Sequence, residues 1–212
     1  MVAKKDKKLS SDENDKETES NVYLDKNSRL ISITGAINWQ LADQFFNVLT
    51  GFELLPSRKP LTIYINSEGG GIYDMLKIYD HIRNSPLPIV TIVAGYALSA
   101  GFIVFLAGDL RKMFPNAFLG FHEPTIYFNG KGSEGPAESE ESALHQNCLL
   151  GAMVRIVKNS SNMPEKMIRK YFRVLTRIDA KTALKFGLAH QIIEPPKKIL
   201  PKSWQKILKE QN

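Results

Sequence analysis

Apolar residues along this chain come in short blocks, and the period of the blocks switches between two and about three and a half. The run RLISITGAI sets Ile31 and Ile33 against Leu30 and Ser32, a strand pattern that ends at Gly35. Asn38 then stands as an N-cap, followed by Trp39, Ala42, Phe45, Phe46 and Leu49 at helical spacing, with the helix ending near Gly51. LTIYI, residues 61–65, has almost no polar break and suits the interior of a parallel sheet covered on both faces. After NSEGGG a helix is predicted from Ile72, Met75, Tyr79 and Ile82, stopped by Pro86 and Pro88. IVTIV, 89–93, is a further buried strand, 94–98 a turn and 99–107 an apolar helix. Met113-Phe114 and 118–121 are short strand candidates. Residues 127–135 read as a glycine-rich loop, and 137–158 as a long helix. That helix is acidic at its start (Glu138, Glu140, Glu141) and basic at its end (Arg155, Lys158), as the helix dipole favours. Pro164 opens a helix over 165–172, Asp179 caps another that ends at Gly187, and 188–193 return to the sheet. This alternation of strand and helix predicts an α/β fold with a parallel sheet.

One block stands apart. Residues 88–108, PIVTIVAGYALSAGFIVFLAG, carry no charge. A membrane span needs about 20 apolar residues, and this stretch is long enough. Its β-branched first quarter, Gly95 and Gly101, and flanks without basic bias point instead to a buried strand turning sharply into a buried helix. No membrane association is then expected.

Composition narrows the class. The 212 residues and a 43% hydrophobic content suit one domain with a real core. Residues 1–21 are polar, of mixed charge and without periodicity, and are expected to be a disordered tail. Residues 22–194 form the α/β domain, and 195–212 a basic tail with one amphipathic stretch (Trp204, Ile207, Leu208). No apolar stretch of the secretory type opens the sequence. The net charge of +6 is spread out, with no basic face carrying interleaved aromatics, so nucleic acid is not an expected partner. The one cysteine, Cys148, cannot pair within the chain, which fits a reducing, cytoplasmic compartment, and its apolar neighbours suggest a buried packing residue.

Three features carry chemistry. The run 66–71, NSEGGG, follows a strand and opens a helix; its glycines allow close backbone approach and expose N–H groups. It has the spacing of neither a phosphate loop nor a dinucleotide loop, and a tight turn is the alternative. Ser99 lies among small residues at a strand-to-helix turn, where its hydroxyl stays accessible and the N–H of Ala100 points the same way; a simple N-cap is the alternative. His122 leaves an apolar strand and precedes Glu123-Pro124, as a general base or a satisfied half-buried histidine. His81, His145 and His190 are expected to be structural or exposed. No metal-binding spacing and no cofactor motif is present. A serine, a histidine and a glycine-rich N–H donor loop together describe an acyl-transfer site.

IYINSEGGG, IVTIVAGYALSAGFIVFLAGD, PNAFLGFHEP and AKTALKFGLAHQII, with RLISITGAINWQLADQF upstream, resemble in order and spacing the Clp protease proteolytic subunit. The resemblance covers residues 29–193. It implies a Clp/crotonase-like fold of stacked ββα units with a protruding handle helix over 137–158. It also implies a serine-type endopeptidase that cleaves unfolded polypeptide in a homo-oligomeric chamber of stacked seven-membered rings, fed by an AAA+ ATPase unfoldase. Ser99 would be nucleophile and His122 general base, with Gly70 and Ala100 offering the oxyanion N–H groups and no cofactor or metal needed. The chain departs from the family at Glu68, where a proline is usual, and at Ala100, where a methionine is usual. The larger departure is Leu175, on which the family's catalytic aspartate falls. Loss of a triad acid costs about four orders of magnitude in rate. Asp179 is expected to cap its helix, with orientation of His122 as its alternative role, a job that a backbone carbonyl or a water could also do. An impaired subunit of a mixed ring or phage-type assembly is thus a second expectation, and a crotonase-like acyl-CoA enzyme a third.

Overall fold

The computed structural model describes residues 21–25, 27–124, 136–196 and 201, without the side chains of 21 and 136–140. The loop expected at 127–135, most of the two tails and the side chains of Glu138 and Glu140 lie outside the described residues. The elements run β1 (Asn21–Asp25), β2 (Leu30–Ile37), α1 (Trp39–Glu53), β3 (Leu61–Gly70), α2 (Ile72–Asn84), β4 (Ile89–Leu98), α3 (Ala100–Leu106), β5 (Leu110–Met113), β6 (Phe118–Phe121), α4 (Pro136–Asn159), α5 (Glu165–Arg173), β7 (Thr176–Asp179), α6 (Ala180–Lys185) and β8 (Gln191–Ile192). The described strands form one sheet in the order β1-β2-β3-β4-β5-β8, with β6 on β4 and β7 on β6. Pairing is parallel except for β1 on β2 and β7 on β6. This is a mixed α/β fold with its helices packed on a largely parallel sheet.

The alternation in the sequence is what places the core. Ile31 and Ile33 of β2, and Leu61, Ile63 and Ile65 of β3, are fully buried. Asn38 caps α1 as expected, its Oδ1 accepting from Leu41 N at 2.9 Å. The helix does not stop at Gly51 but runs to Glu53. Its buried face is Leu41, Ala42, Phe45, Leu49 and Phe52, while Trp39 and Phe46 of the predicted stripe are exposed. β2 likewise runs past Gly35, which takes φ 81° at a register shift and leaves the strand paired to β3 as far as Ile37.

The uncharged block is a ten-residue strand followed by a seven-residue helix, every residue of which is buried. Among the described residues no helix is long and apolar enough to cross a membrane. The predicted turn over 94–98 is strand instead. Gly95, at φ 97°, makes a bulge that the side chain of Asn66 fills, with Tyr96 N donating to Asn66 Oδ1 at 3.4 Å. The strand therefore continues and changes partner: Val90–Val93 pair with β5, Tyr96–Leu98 with β6. A glycine that interrupts alternation reads locally as a turn; only the side chain from β3 makes it a bulge.

β1 and β7 have no counterpart among the predicted elements. β7 exists because β6 needs an antiparallel neighbour, a demand that four residues do not advertise. The second half of α4 buries Leu149, Met153, Val154 and Val157, whereas its first half leaves Leu144 exposed, in keeping with a helix that protrudes from the core. Cys148, at the start of the second half, is exposed, so its expected burial does not hold: the apolar neighbours Leu149 and Leu150 turn toward the core and carry the sulfur outward.

Arg111 of β5 is buried, and among the described residues it has no carboxylate partner. Nε donates to Leu188 O at 2.7 Å, Nη1 to Gly108 O at 3.3 Å, and Nη2 to Ser160 O and Gly187 O, both at 3.0 Å. One guanidinium thus ties the ends of α3, α4 and α6 to the sheet. Its backbone N donates to His190 Nδ1 at 3.1 Å. Burial, and next the Arg111 charge, hold the His190 imidazole below its ordinary value of 6.5.

Arg111→Ala should lower stability by about 3 kcal/mol or more, read by urea denaturation, because it strands several carbonyls at once. His190 binds protons less readily folded than unfolded, so its contribution is complete above pH 6.5 and is lost as the pH falls through the lower folded value. His190→Asn should flatten the acid side of the stability profile over that window; an unchanged slope would contradict the assignment.

Candidate active site

Ser99 joins β4 to α3 at φ 52° and ψ −119°, a conformation that costs a non-glycine residue about 1–3 kcal/mol. Its backbone is pinned on both sides. Ser99 N donates to Gly120 O of β6 at 2.9 Å, and Ser99 O accepts from Phe102 N at 3.1 Å and Ile103 N at 3.3 Å. The side chain makes no capping hydrogen bond, so the simple N-cap alternative does not describe it. Ala100 is the first residue of α3, and its N–H has no partner from within the helix.

The glycines of 66–71 meet this junction directly. β3 continues through them to Gly70 rather than ending in a loop. A Cβ on Gly69, at φ 107°, would lie 2.7 Å from Ser99 Cβ and 2.9 Å from Leu98 O. A Cβ on Gly70, at φ 148°, would lie 2.0 Å from Ile37 O, which already accepts from Gly71 N at 2.7 Å. Close approach of backbones therefore explains the run better than a tight turn does. The polar residues before it are structural: Asn66 fills the β4 bulge, and buried Ser67 accepts from Gly69 N at 3.1 Å.

His122 follows β6 directly. Its Nδ1 lies 2.6 Å from Glu123 O. A carbonyl oxygen only accepts, so Nδ1 carries the hydrogen, and in the neutral ring the free lone pair is on Nε2. The segment beyond is tied down twice. Pro124 O accepts from Gln146 Nε2 of α4 at 2.7 Å, and Glu123 pairs with Arg173 of α5 at 3.7 Å. Neither Gln146 nor the identity of the carbonyl that meets His122 was legible in the sequence, because a backbone acceptor has no residue type and Gln146 is one polar helix residue among several.

Antiparallel pairing of β6 with β7 matches Phe118 to Asp179 and Phe121 to Thr176. Phe121 and Thr176 are the last pair of that register; His122 follows the one and Leu175 precedes the other. Leu175 is exposed and sits at φ 43°. Asp179 is four residues away, about 13 Å along a strand. It caps α6 by accepting from Thr182 N at 2.8 Å, and that hydrogen bonding with Thr182 holds its carboxyl below the ordinary value.

A pocket of about 400 Å³ gathers Gly70, Ser99, Ala100 and His122, with Glu68, Met75 and Met153 among the remaining walls. All four residues singled out from the sequence thus meet in one place. The other histidines lie elsewhere: His81 stacks on Phe46, His145 meets Tyr73 Oη at 2.5 Å, and His190 accepts from Arg111. Among the described residues no group of three or more metal-ligating side chains gathers anywhere.

Gly69→Ala should abolish reactivity of Ser99 toward serine-directed probes and cost about 1–3 kcal/mol of stability. Gly51→Ala, in an exposed helical position where a Cβ meets nothing within 4 Å, should stabilise by about 0.5–1 kcal/mol. Equal effects at the two positions, measured by denaturant unfolding, would rule out the close-approach argument.

Comparison with known proteins gives a consistent result. A family model described as Clp protease matches residues 13–196. The ATP-dependent Clp protease proteolytic subunit of Deinococcus radiodurans is 29% identical over 176 residues, covering 78% of this chain and 80% of that one. Subunit 2 of Treponema denticola is 28% identical over 175 residues, covering 82% and 86%. Among solved structures, a mutant of ClpP1 from Listeria monocytogenes superimposes with a TM-score of 0.71 at 25% identity, covering 80% of this chain and 93% of its own.

Proposed function

Since the chain belongs to the Clp protease family, we propose that it is a serine-type endopeptidase subunit acting on unfolded polypeptide, with Ser99 as nucleophile and His122 as general base. The observation that carries this reading is the meeting of an uncapped, strained Ser99 with His122 in one pocket beside two glycine-strand and helix-start N–H donors. Ser99 Oγ attacks the scissile carbonyl and its proton passes to His122 Nε2. Negative charge on the carbonyl oxygen is met by the N–H of Ala100 and of Gly70. Gly70 lines the same pocket as Ser99 and Ala100, which supports its N–H as the second donor. His122 then protonates the departing amine, and water, activated by the same Nε2, cleaves the Ser99 ester.

The usual acid is missing from this scheme. The resemblance assigns the acid's position to Leu175, and the Glu123 carbonyl lies 2.6 Å from Nδ1. A neutral carbonyl fixes the tautomer but stabilises the imidazolium less than a carboxylate does. Turnover below that of an acid-bearing relative follows. The same observation favours a second reading, a low-turnover structural subunit in a mixed ring. In both readings the chain works as part of a homo- or hetero-oligomeric stacked ring with an AAA+ ATPase delivering substrate, in the cytoplasm.

A fluorophosphonate probe should label Ser99 in the assembled protein, with labelling lost in Ser99→Ala; an unlabelled Ser99 would sink the nucleophile assignment. Leu175→Asp places a carboxylate at the acid's position in that reading, a left-handed position that aspartate tolerates better than leucine. It should raise kcat for a fluorogenic peptide by at least about tenfold, within the roughly 10⁴-fold that a triad acid supplies. Ordinary peptidase rates in the purified homo-oligomer would dispose of the structural-subunit reading.

A further inference from the structure

Glu68 sits one residue before the glycine that packs on Ser99. It lines the same pocket as Ser99 and His122. Its Oε2 is buried and has no hydrogen-bond partner among the described residues. Among the described residues no lysine or arginine lines that pocket, and Glu68 forms none of the ion pairs. The surrounding wall is largely apolar, with Ile72, Met75 and Met153. A buried carboxylate oxygen without a donor is unfavourable unless something arrives to satisfy it, and an apolar wall strengthens whatever charge pairing then forms.

His122 does not supply that donor. Its Nδ1 hydrogen is used by the Glu123 carbonyl. The Gly69 N–H is likewise engaged, by Ser67 Oγ. Among the described residues no other group supplies the missing partner, and an occupant of the pocket can. We propose that Glu68 is a specificity-determining residue whose carboxylate takes the ammonium of a lysine, or the guanidinium of an arginine, close to the scissile bond of the bound peptide. The inference rests on the peptidase reading above and adds a substrate class to it. Of the two cations, arginine presents a fork that matches both carboxylate oxygens and should be held more tightly.

Equilibrium binding tests this without requiring turnover. Fluorescein-labelled decapeptides are compared by anisotropy on the full-length protein, with a single arginine, lysine or norleucine walked through the central positions. At one position the arginine and lysine peptides should bind about tenfold more tightly than the norleucine peptide, with the difference shrinking as salt is raised. Glu68→Gln, which keeps the shape of the side chain, should reduce that difference to within twofold, and Glu68→Lys should reverse it. Circular dichroism and sedimentation establish that both variants fold and assemble as the parent does; were Glu68→Lys to misfold, the glutamine variant alone would decide. Equal affinity for all three peptides at every position, or a cationic preference that survives Glu68→Gln, would overturn the proposal. Fluorophosphonate labelling of Ser99 is read on the same samples. Labelled Ser99 without cation selectivity removes the role of Glu68 alone. Glu68-dependent selectivity with unlabelled Ser99 removes the nucleophile assignment and leaves the binding role standing.

Discussion

Where β3 passes the junction of β4 and α3, there is no room for a single Cβ at Gly69. That contact sets the geometry of the pocket. It allows the strand edge to come within reach of Ser99, and it leaves Ser99 with a positive φ that only a firmly held backbone sustains. Ser99 N bonded to β6, Ser99 O bonded into α3, and Gly101 packed on Ser67 supply that hold. The strain is thus maintained by main-chain bonds from two different elements and does not depend on the serine side chain, which stays free for chemistry.

β4 serves two neighbours in succession, and this is why one strand brings so many parts together. Its first half completes the parallel sheet with β5; past the Gly95 bulge its second half receives β6. β6 then delivers His122 to the same pocket in which Ser99 ends β4. Beyond His122, Gln146 of α4 and Arg173 of α5 hold the chain by Pro124 and Glu123. A displacement of α4, much of whose first half is exposed, would therefore reach His122 through one hydrogen bond.

The support of His122 is by a carbonyl, not a carboxylate, and the consequences differ for the two jobs an acid does. Orientation and tautomer need only an acceptor at Nδ1, which Glu123 O provides at 2.6 Å. Stabilising the imidazolium needs charge, and in the proposed reading Leu175, which supplies none, takes the acid's position. Glu68 brings a negative charge into the pocket at a different place, one residue from the strand's contact with Ser99. Among the described residues Glu68 is the one carboxylate that lines the pocket.

The sequence by itself determined the helices, the buried strands and the four residues that meet in the pocket. Periodicity and capping are local signals, and the glycine run and the small residues around Ser99 are written in consecutive positions. It also determined that residues 88–108 hold a strand and a helix, since a β-branched quarter and two glycines do not suit a span. Only the tertiary structure decided that 94–98 is strand, because the side chain that fills the bulge comes from Asn66, about 30 residues earlier in the chain. Only it decided that Cys148 faces outward, that β7 exists, and that a backbone carbonyl serves His122. Each of these depends on a partner distant in sequence or on a main-chain atom, and neither leaves a trace in the pattern of residue types.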